Sequence, residues 1–428
     1  MKRERLALAA IVALGLGLRL AWIFYSDFGP STLDDAGYYE FIGRSLAAGA
    51  GFTSPTGATT TYWPPGYPLF LGAVYKLWPG HLFGGPDVNV ALVANALLGS
   101  ATVLLVYGIG RRAFDERTAL VGALLTAFFP SLIFLAGMTL SETLFIFLAL
   151  LGLWLAIEAE SRPNRLLLVP AGIVVGLAAL TRGQAALFPL VLLPFWWRVL
   201  KDRRLVLARA LTMGALVALV FLPWTVRNYV ESKSFVVIST NAGVDFYIGH
   251  SEEAPQPGRQ VIRITSKYKD LPLPQAEAKI SADGFHEGLE YALSHPLREI
   301  ELSARKLFYL YYNDHEALSW TETHGARQFM PDILRSGLAW LSDSYYFAVL
   351  GLAALGAVGW LSRRQPVRLL LVSLVIYWTL VHIVFFGDPR FHAPIIPVVC
   401  LWAAVGFWSV RRWWLAGQNT HGPSRRNV

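Results

Sequence analysis

Ionisable side chains are scarce in this sequence, and those that interrupt its apolar runs are the ones that could do chemistry. The stretch STLDDAGYYEF (31–41) sets two adjacent carboxylates, Asp34 and Asp35, just after a hydrophobic segment, with Tyr38 following at helical spacing. Further along, Glu142 opens a long apolar run, Arg182 sits between two such runs, and Arg227 follows another. Arg390 and His392 belong to GDPRFH (387–392). Charged groups near a bilayer are energetically costly, so clusters of them are functional candidates by default. Each has a structural alternative. Asp34 and Asp35 suit a helix N-terminus, as do Ser141 and Glu142, and the arginines suit a structural or snorkelling role. Two adjacent acids exceed what a cap needs, and the tyrosines add a polar wall able to stack. His382, deep in an apolar run, reads as a buried hydrogen-bonded histidine.

Acids for a proton and arginines for an anion suit one reaction type: attack by a hydroxyl on a carbon whose leaving group is a phosphate. A carboxylate within hydrogen-bond reach takes the acceptor's proton. Planar, permanently charged guanidinium groups neutralise the departing phosphate. In a single inverting displacement the base and the phosphate flank the reacting carbon on opposite faces, and positioning supplies much of the rate.

The elements that must hold these groups are membrane helices. The chain has 428 residues, 54% of them hydrophobic and only 15% charged, with a mean hydropathy of +0.44. That charge deficit marks an all-α polytopic membrane protein. The net charge of +8 falls in short runs between apolar segments, which is a topology signal and not a nucleic-acid footprint. Apolar runs near 6–26, 88–110, 118–137, 140–158, 165–181, 184–199, 205–225, 343–361, 367–386 and 393–411 predict about ten crossings of ~20 residues each. The segment WPPGYPLFLGAVYKLW (63–78) is apolar but short, and opens on Pro64-Pro65. If it does not cross, the basic runs at 2–5, 110–117, 160–165, 198–204, 362–368 and 411–414 share one side. By the positive-inside rule that side is the cytoplasm, with both termini in it. The segment is therefore expected to be a juxtamembrane or re-entrant helix. Asp34, Asp35, Glu142, Arg182, Arg390 and a polar stretch from Arg227 to about 343 then fall together on the outer face. That face offers neither nucleotide sugars nor ATP, so a phosphate carried by a lipid is the natural activated donor.

Three regions follow: 1–226 with its first external loop at 27–87, an external region at 227–342, and a membrane segment with a tail at 343–428. In the external region FVVIST (235–240) predicts a short strand ending in an Asn-Ala-Gly turn, so a small mixed fold is expected there. A Pro-rich stretch and two helices follow, the second (297–312) with the period of a helix on a membrane surface. The single cysteine, Cys400, lies in an apolar run and excludes an internal disulfide. The N-terminal run, interrupted by Arg19, reads as a retained helix and not a cleaved signal. There is no internal repeat, and no Walker, Rossmann or zinc-ligand pattern.

At these residues the chain resembles the membrane GT-C glycosyltransferases. It is most similar to the branch of protein O-mannosyltransferase-like proteins and the lipid A aminoarabinose transferase (glycosyltransferase family 39-like). The likeness rests on LDDAGYYEFIGRSLAAGAGF with YWPPGYPLFLGAVYKLW, then MTLSETLFIF (138–147), GLAALTRGQAALFPL (176–190), PWTVRNYVESKSFVVISTNAGVDFYIGH (223–250) and GDPRFHAPIIPVV (387–399). No one motif is specific; their order is. The resemblance implies a GT-C fold and sugar transfer from a polyprenyl-phosphate donor to a lipid, glycan or protein acceptor. It makes Asp34 the general base, with Asp35, Tyr38 and Glu142 shaping the sugar and acceptor site. Arg182 would contact the lipid phosphate, with Arg227, Arg390 and His392 as further substrate contacts. Asp35 stands where relatives usually carry Glu, which leaves open which acid is the base. No metal or other cofactor is expected, although the acids could hold a divalent ion. Two rival classes remain: a lipid-linked sugar transporter, which would spread charges through the midplane, and a non-catalytic assembly subunit.

Overall fold

The computed structural model describes residues 2–26, 28–30, 34–78, 88–161, 165–254, 266–325, 328–358 and 365–420. Parts of the loop expected at 27–87 (31–33 and 79–87), most of the Pro-rich stretch and the C-terminal tail lie outside them. The apolar runs become helices because a bilayer leaves backbone groups no partner outside their own segment. In chain order these are α1 (Lys2–Ser26), α2 (Asp35–Ala47), α3 (Gly66–Leu77), α4 (Val88–Ala113), α5 (Glu116–Ala127) and α6 (Pro130–Ala136). Then come α7 (Glu142–Ser161), α8 (Leu168–Thr181), α9 (Phe188–Val191), α10 (Leu193–Leu200), α11 (Arg203–Ser232) and α12 (Asn241–Gly249). The remainder are α13 (Leu273–Ser294), α14 (Pro296–Tyr311), α15 (Glu316–Thr323), α16 (Asp332–Val358), α17 (Pro366–Val384) and α18 (Ile396–Thr420), which follows a 3-10 segment, Pro389–Ile395.

Among the described residues eight helical stretches are long and apolar enough to cross a membrane, and the pair α5–α6, bent by 55°, makes nine if counted as one crossing. The tenth apolar run of the sequence is α8, a helix of only 14 residues. The bend has a local cause. Pro130 opens α6, and the last carbonyl of α5, on Ala127, accepts from Nη1 of the buried Arg19 at 3.1 Å. The arginine that interrupts the first apolar run thus satisfies a helix-end carbonyl that would otherwise be left without a partner. The 63–78 segment forms α3, 12 residues lying along α2, or ~18 Å of helix against the ~30 Å of a bilayer core. Its first residue, Gly66, lies against Thr181, where a Cβ would come within 2.5 Å of the Thr181 hydroxyl.

The two ends of the bundle differ in chemistry. At one end Arg112 pairs with Glu158 at 2.7 Å and Arg209 with Glu160 at 2.8 Å, while Arg368 and Gln365 bond the carbonyls of Ala113 and Arg112. The other end gathers the C-termini of α1 and α8, the N-terminus of α7 and the turn before α18.

The region at 227–342, expected to be external, departs from its expected secondary structure. No strand occurs among the described residues, and FVVIST is an irregular, bent connection, because the side chains of α11 take its carbonyls. Thr225 donates to Val237 O at 2.7 Å, and Asn228 and Trp224 donate to Ile238 O at 2.9 and 3.0 Å. A segment so occupied has no ladder to offer a partner strand. The Asn-Ala-Gly triplet opens α12 instead of a turn. Both helices expected after the Pro-rich stretch are present as α13 and α14. Glu277 of α13 ties them to the first loop, accepting from Thr60 Oγ1 and Thr61 N at 2.6 Å each and from Thr61 Oγ1 at 2.9 Å.

Candidate functional site

Asp34 is the N-cap of α2: its extended backbone (φ −126°) lets Oδ1 accept the Gly37 N–H at 2.8 Å. The capping alternative is therefore real for Asp34. Asp35, one residue later, points elsewhere, and its Oδ2 lies 3.1 Å from Arg390 Nη2. Arg390 reaches this point because the 3-10 segment precedes α18, with the Asp388 carboxylate accepting the Arg390 N–H at 2.9 Å. Its Nε lies 3.1 Å from Glu142 Oε1, and the same oxygen is 2.9 Å from Arg182 Nη1. Arg182, in the break after α8, also donates to the Ser141 hydroxyl at 3.3 Å. The hydroxyl thus faces Arg182. Four residues far apart in sequence, Asp35, Glu142, Arg182 and Arg390, form one ion-paired network beside Asp34.

The inner part of the network is closed to solvent, with Glu142 1% and Arg390 8% exposed, while Asp35 and Arg182 are half-buried. Even so, Arg390 Nη1 and Glu142 Oε2 have no hydrogen-bond partner among the described residues. Buried polar atoms of this kind are rare without a functional reason. The opening is walled by aromatics. Tyr38 lies 5.5 Å from Trp63, which is flanked by Tyr39 at 5.3 Å and Tyr62 at 4.8 Å. Across the site the Arg390 guanidinium sits 4.0 Å from the Trp320 ring centre, and His324 stacks on that same ring at 3.6 Å. A bridge between Pro30 and Gly325 brings this end of α15 against the first loop.

Three groups here were not singled out from sequence. Asp245, on α12, is half-buried and accepts from Asn241 Nδ2 at 3.1 Å. Burial, and then the charge of Asp35, push it up to about 7. Burial likewise raises Asp388 and holds His324 below its ordinary value, although Asp34 and Asp35 oppose the latter shift. Nothing in GVDFYIGH or SWTETH signals chemistry; only the fold brings them near the acid pair.

Other expected contacts lie elsewhere. Arg227 donates to Thr60 O at 2.7 Å and Phe52 O at 3.4 Å and covers the Trp224 ring at 4.9 Å, which shapes the first loop. His392 is buried on the inner side, between Leu310 O at 2.8 Å and Asp314 Oδ1 at 2.9 Å. Glu40 turns from the site to Arg44 at 2.8 Å. His382 is buried, with Nδ1 3.2 Å from Phe386 O. No group of three or more His, Cys, Asp or Glu side chains able to hold a metal ion occurs among the described residues.

Known proteins resemble this chain in sequence over part of its length and in fold over nearly all of it. The family described as Dolichyl-phosphate-mannose-protein mannosyltransferase matches residues 63–226. An undecaprenyl phosphate-alpha-4-amino-4-deoxy-L-arabinose arabinosyl transferase from Pseudomonas aeruginosa is 30% identical over 246 residues, covering 55% of this chain and 42% of that protein. The chain spans between 31% and 42% of the length of the curated relatives it matches. The oligosaccharyltransferase of Archaeoglobus fulgidus, solved with an inhibitory peptide and a dolichol-phosphate, superposes with a TM-score of 0.55 at 16% identity, over 98% of this chain and 52% of that one. The same enzyme with Zn and sulfate gives 0.57 at 17% identity, over 95% and 49%. Nearly the whole chain therefore shares the membrane fold of that enzyme.

Proposed function

We propose that this chain, a member of the GT-C superfamily, is an inverting glycosyltransferase. It moves a hexosyl or pentosyl unit from a polyprenyl-phosphate donor to the hydroxyl of a lipid, glycan or protein on the external face of the cytoplasmic membrane. The observation that carries the reading is the meeting of Asp34 and Asp35 with Glu142, Arg182 and Arg390 at one end of the bundle. The clustering of the basic loop runs at the opposite end supports an external site and cytoplasmic termini.

In this reading Asp34 takes the proton from the acceptor hydroxyl as its oxygen bonds to the anomeric carbon. The bond from that carbon to the phosphate oxygen breaks, and its electron pair leaves with the lipid phosphate. Arg182 and Arg390 neutralise the charge that develops there. Arg390 Nη1, buried and without a partner among the described residues, suits a phosphate oxygen. Asp35 and Glu142 hold the arginines in place, and Tyr38 with Trp63 forms a stacking wall for the sugar. Arg227 and His392, both bonded to backbone carbonyls, act on the shape of the site.

Asp34→Asn and Asp35→Asn, assayed in membranes with a labelled polyprenyl-phosphate sugar, test the reading. Asp34→Asn is expected to abolish transfer while the protein stays folded and inserted. Full activity in both variants would refute the assigned chemistry.

A further inference from the structure

Beneath Arg390 lies a second polar cluster that the transfer chemistry does not use. Asp314 and His392 are 2% and 1% exposed, with His392 Nε2 2.9 Å from Asp314 Oδ1. Two hydroxyls converge on the same carboxylate: Ser131 on Oδ1 and Ser342 on Oδ2, each at 2.8 Å. The imidazole is sandwiched between Tyr346 and Tyr311, nearly parallel to both at 9° and 11°. Its Nδ1 lies 2.8 Å from Leu310 O, which can only accept, so Nδ1 carries a hydrogen. The carboxylate and the imidazole thus form a buried pair in which both nitrogens and both carboxylate oxygens have partners.

Such a pair does little for stability that apolar packing would not do as well; its attested use is to fix one arrangement out of several. Here the arrangement concerns Arg390. His392 follows Arg390 by two positions in the 3-10 segment Pro389–Ile395, where each residue turns the chain by ~120°. Anchoring His392 in the core therefore turns Arg390 away, toward Asp35 and Glu142. The other partner, Asp314, stands two residues before α15, which carries Trp320, the ring that seats the Arg390 guanidinium at 4.0 Å. Both halves of the Arg390–Trp320 contact are thus built out from one buried pair. A small cavity lined by Ser131, Asp314, Glu316, Arg390 and His392 lies between the pair and the guanidinium, so the influence runs through the backbone.

We propose that Asp314 and His392 are positioning residues that set Arg390 on Trp320 and hold it facing the acid pair. The inference rests on the proposed function for its consequence, a correctly aimed phosphate contact, but its geometry can be read without any ligand. The test uses the full chain carrying 5-fluorotryptophan, with the Trp320 resonance assigned as the one lost in Trp320→Phe. Arg390→Gln gives the position of that resonance without the guanidinium. His392→Gln and Asp314→Asn are each expected to move the resonance toward that position. His392→Gln should move it no further when added to Arg390→Gln. An unmoved resonance in both folded single variants would overturn the proposal, as would an equal shift in the Arg390→Gln background. Should His392→Gln fail to fold, Asp314→Asn decides, because it neutralises the carboxylate while keeping its shape. Undecaprenyl phosphate binding, measured on the same proteins, addresses the function separately. Arg390→Gln should weaken it at least tenfold, and His392→Gln by a smaller factor that disappears in the Arg390→Gln background. Unchanged binding in Arg390→Gln would refute the phosphate assignment and leave the resonance to decide the positioning role.

Discussion

Replacing Glu142 by Gln removes the charge that the buried Arg390 and the half-buried Arg182 share while nearly preserving volume. Glu142 Oε1 lies 2.9 Å from Arg182 and 3.1 Å from Arg390, and the Glu142 side chain is 1% exposed. A hydrogen bond to a charged group contributes about 1.5–3 kcal/mol and a neutral one about 0.5–1.5. The glutamine oxygen still accepts from both guanidinium groups, so the difference between those ranges, about 1 kcal/mol per contact or ~2 kcal/mol in all, is the upper bound on the loss. Glu142→Ala, which takes the carboxylate from Arg182 and leaves Arg390 with Asp35 alone, should cost about 3–5 kcal/mol, the range for breaking a buried pair. The freed positive charge should act in the opposite direction on an anionic ligand. An uncompensated charge ~4 Å from a phosphate is worth about 1 kcal/mol even when screened as in water, or roughly fivefold in affinity. Purified Glu142→Gln in nanodiscs is therefore expected to unfold at a lower temperature, to bind undecaprenyl phosphate severalfold more tightly, and to turn over more slowly because the arginines are no longer held in register. The diagnostic feature is the divergence of binding and turnover. Weaker phosphate binding in a folded Glu142→Gln protein would show that Arg182 and Arg390 are not the anion site. Unchanged stability in both variants would refute the buried network itself.

Asp245, raised to about 7 by burial and the Asp35 charge, gives the site a pH dependence of definite sign. Its folded value exceeds its ordinary 3.8, so the folded state binds the proton more tightly, and this contribution to stability is lost as pH rises through that window to about 7. Above it, a new negative charge opposes an anionic donor. Affinity for undecaprenyl phosphate should thus fall from about pH 6 to about pH 8, and Asp245→Asn should show a shallower fall in parallel titrations. Arg19→Met leaves the Ala127 carbonyl without its donor, so thermal unfolding should report a loss of about 1–3 kcal/mol with transfer per folded molecule unchanged. Because arginines supply the positive charge in this reading, transfer should continue in EDTA; activity restored only by Mn²⁺ or Mg²⁺ would count against it.

The parts of this fold that sequence disclosed are those fixed by solvent. A run of ~20 apolar residues has one way to satisfy its backbone in lipid, so α1, α4, α7 and α11 were legible, and α3 was recognisable as too short to cross. Charges that interrupt such runs stand out for the same reason, which is why Asp35, Glu142, Arg182 and Arg390 could be singled out before their meeting was visible. Side-chain competition is harder to read. FVVIST has strand-forming residues, yet Thr225, Asn228 and Trp224 of the preceding helix occupy its carbonyls. Local propensity carries no record of partners that arrive from another element. Asp245 and Trp320 were invisible for a related reason. In a polar stretch an acid or a tryptophan is unremarked, and only the packing of α12 and α15 brings them to the acid pair.

The acid pair itself shows why adjacency in sequence is not equivalence in a site. At a helix start the N-cap residue is extended and folds its carboxylate back onto the first turn, whereas the next residue is already helical and projects sideways. Asp34 accordingly spends one oxygen on Gly37 N–H, which fixes its rotamer. Asp35 faces Arg390 and is one of two carboxylates on that guanidinium. Asp35 already serves the charge balance of the arginines, and loss of its charge would disturb the phosphate-facing side. Asp34, oriented by a backbone amide, is the carboxylate whose removal should leave that side intact while stopping proton transfer. The two Asp→Asn variants therefore probe different steps. An Asp34→Asn protein that binds undecaprenyl phosphate normally but transfers nothing, beside an Asp35→Asn protein altered in both, is the outcome that this division of roles requires.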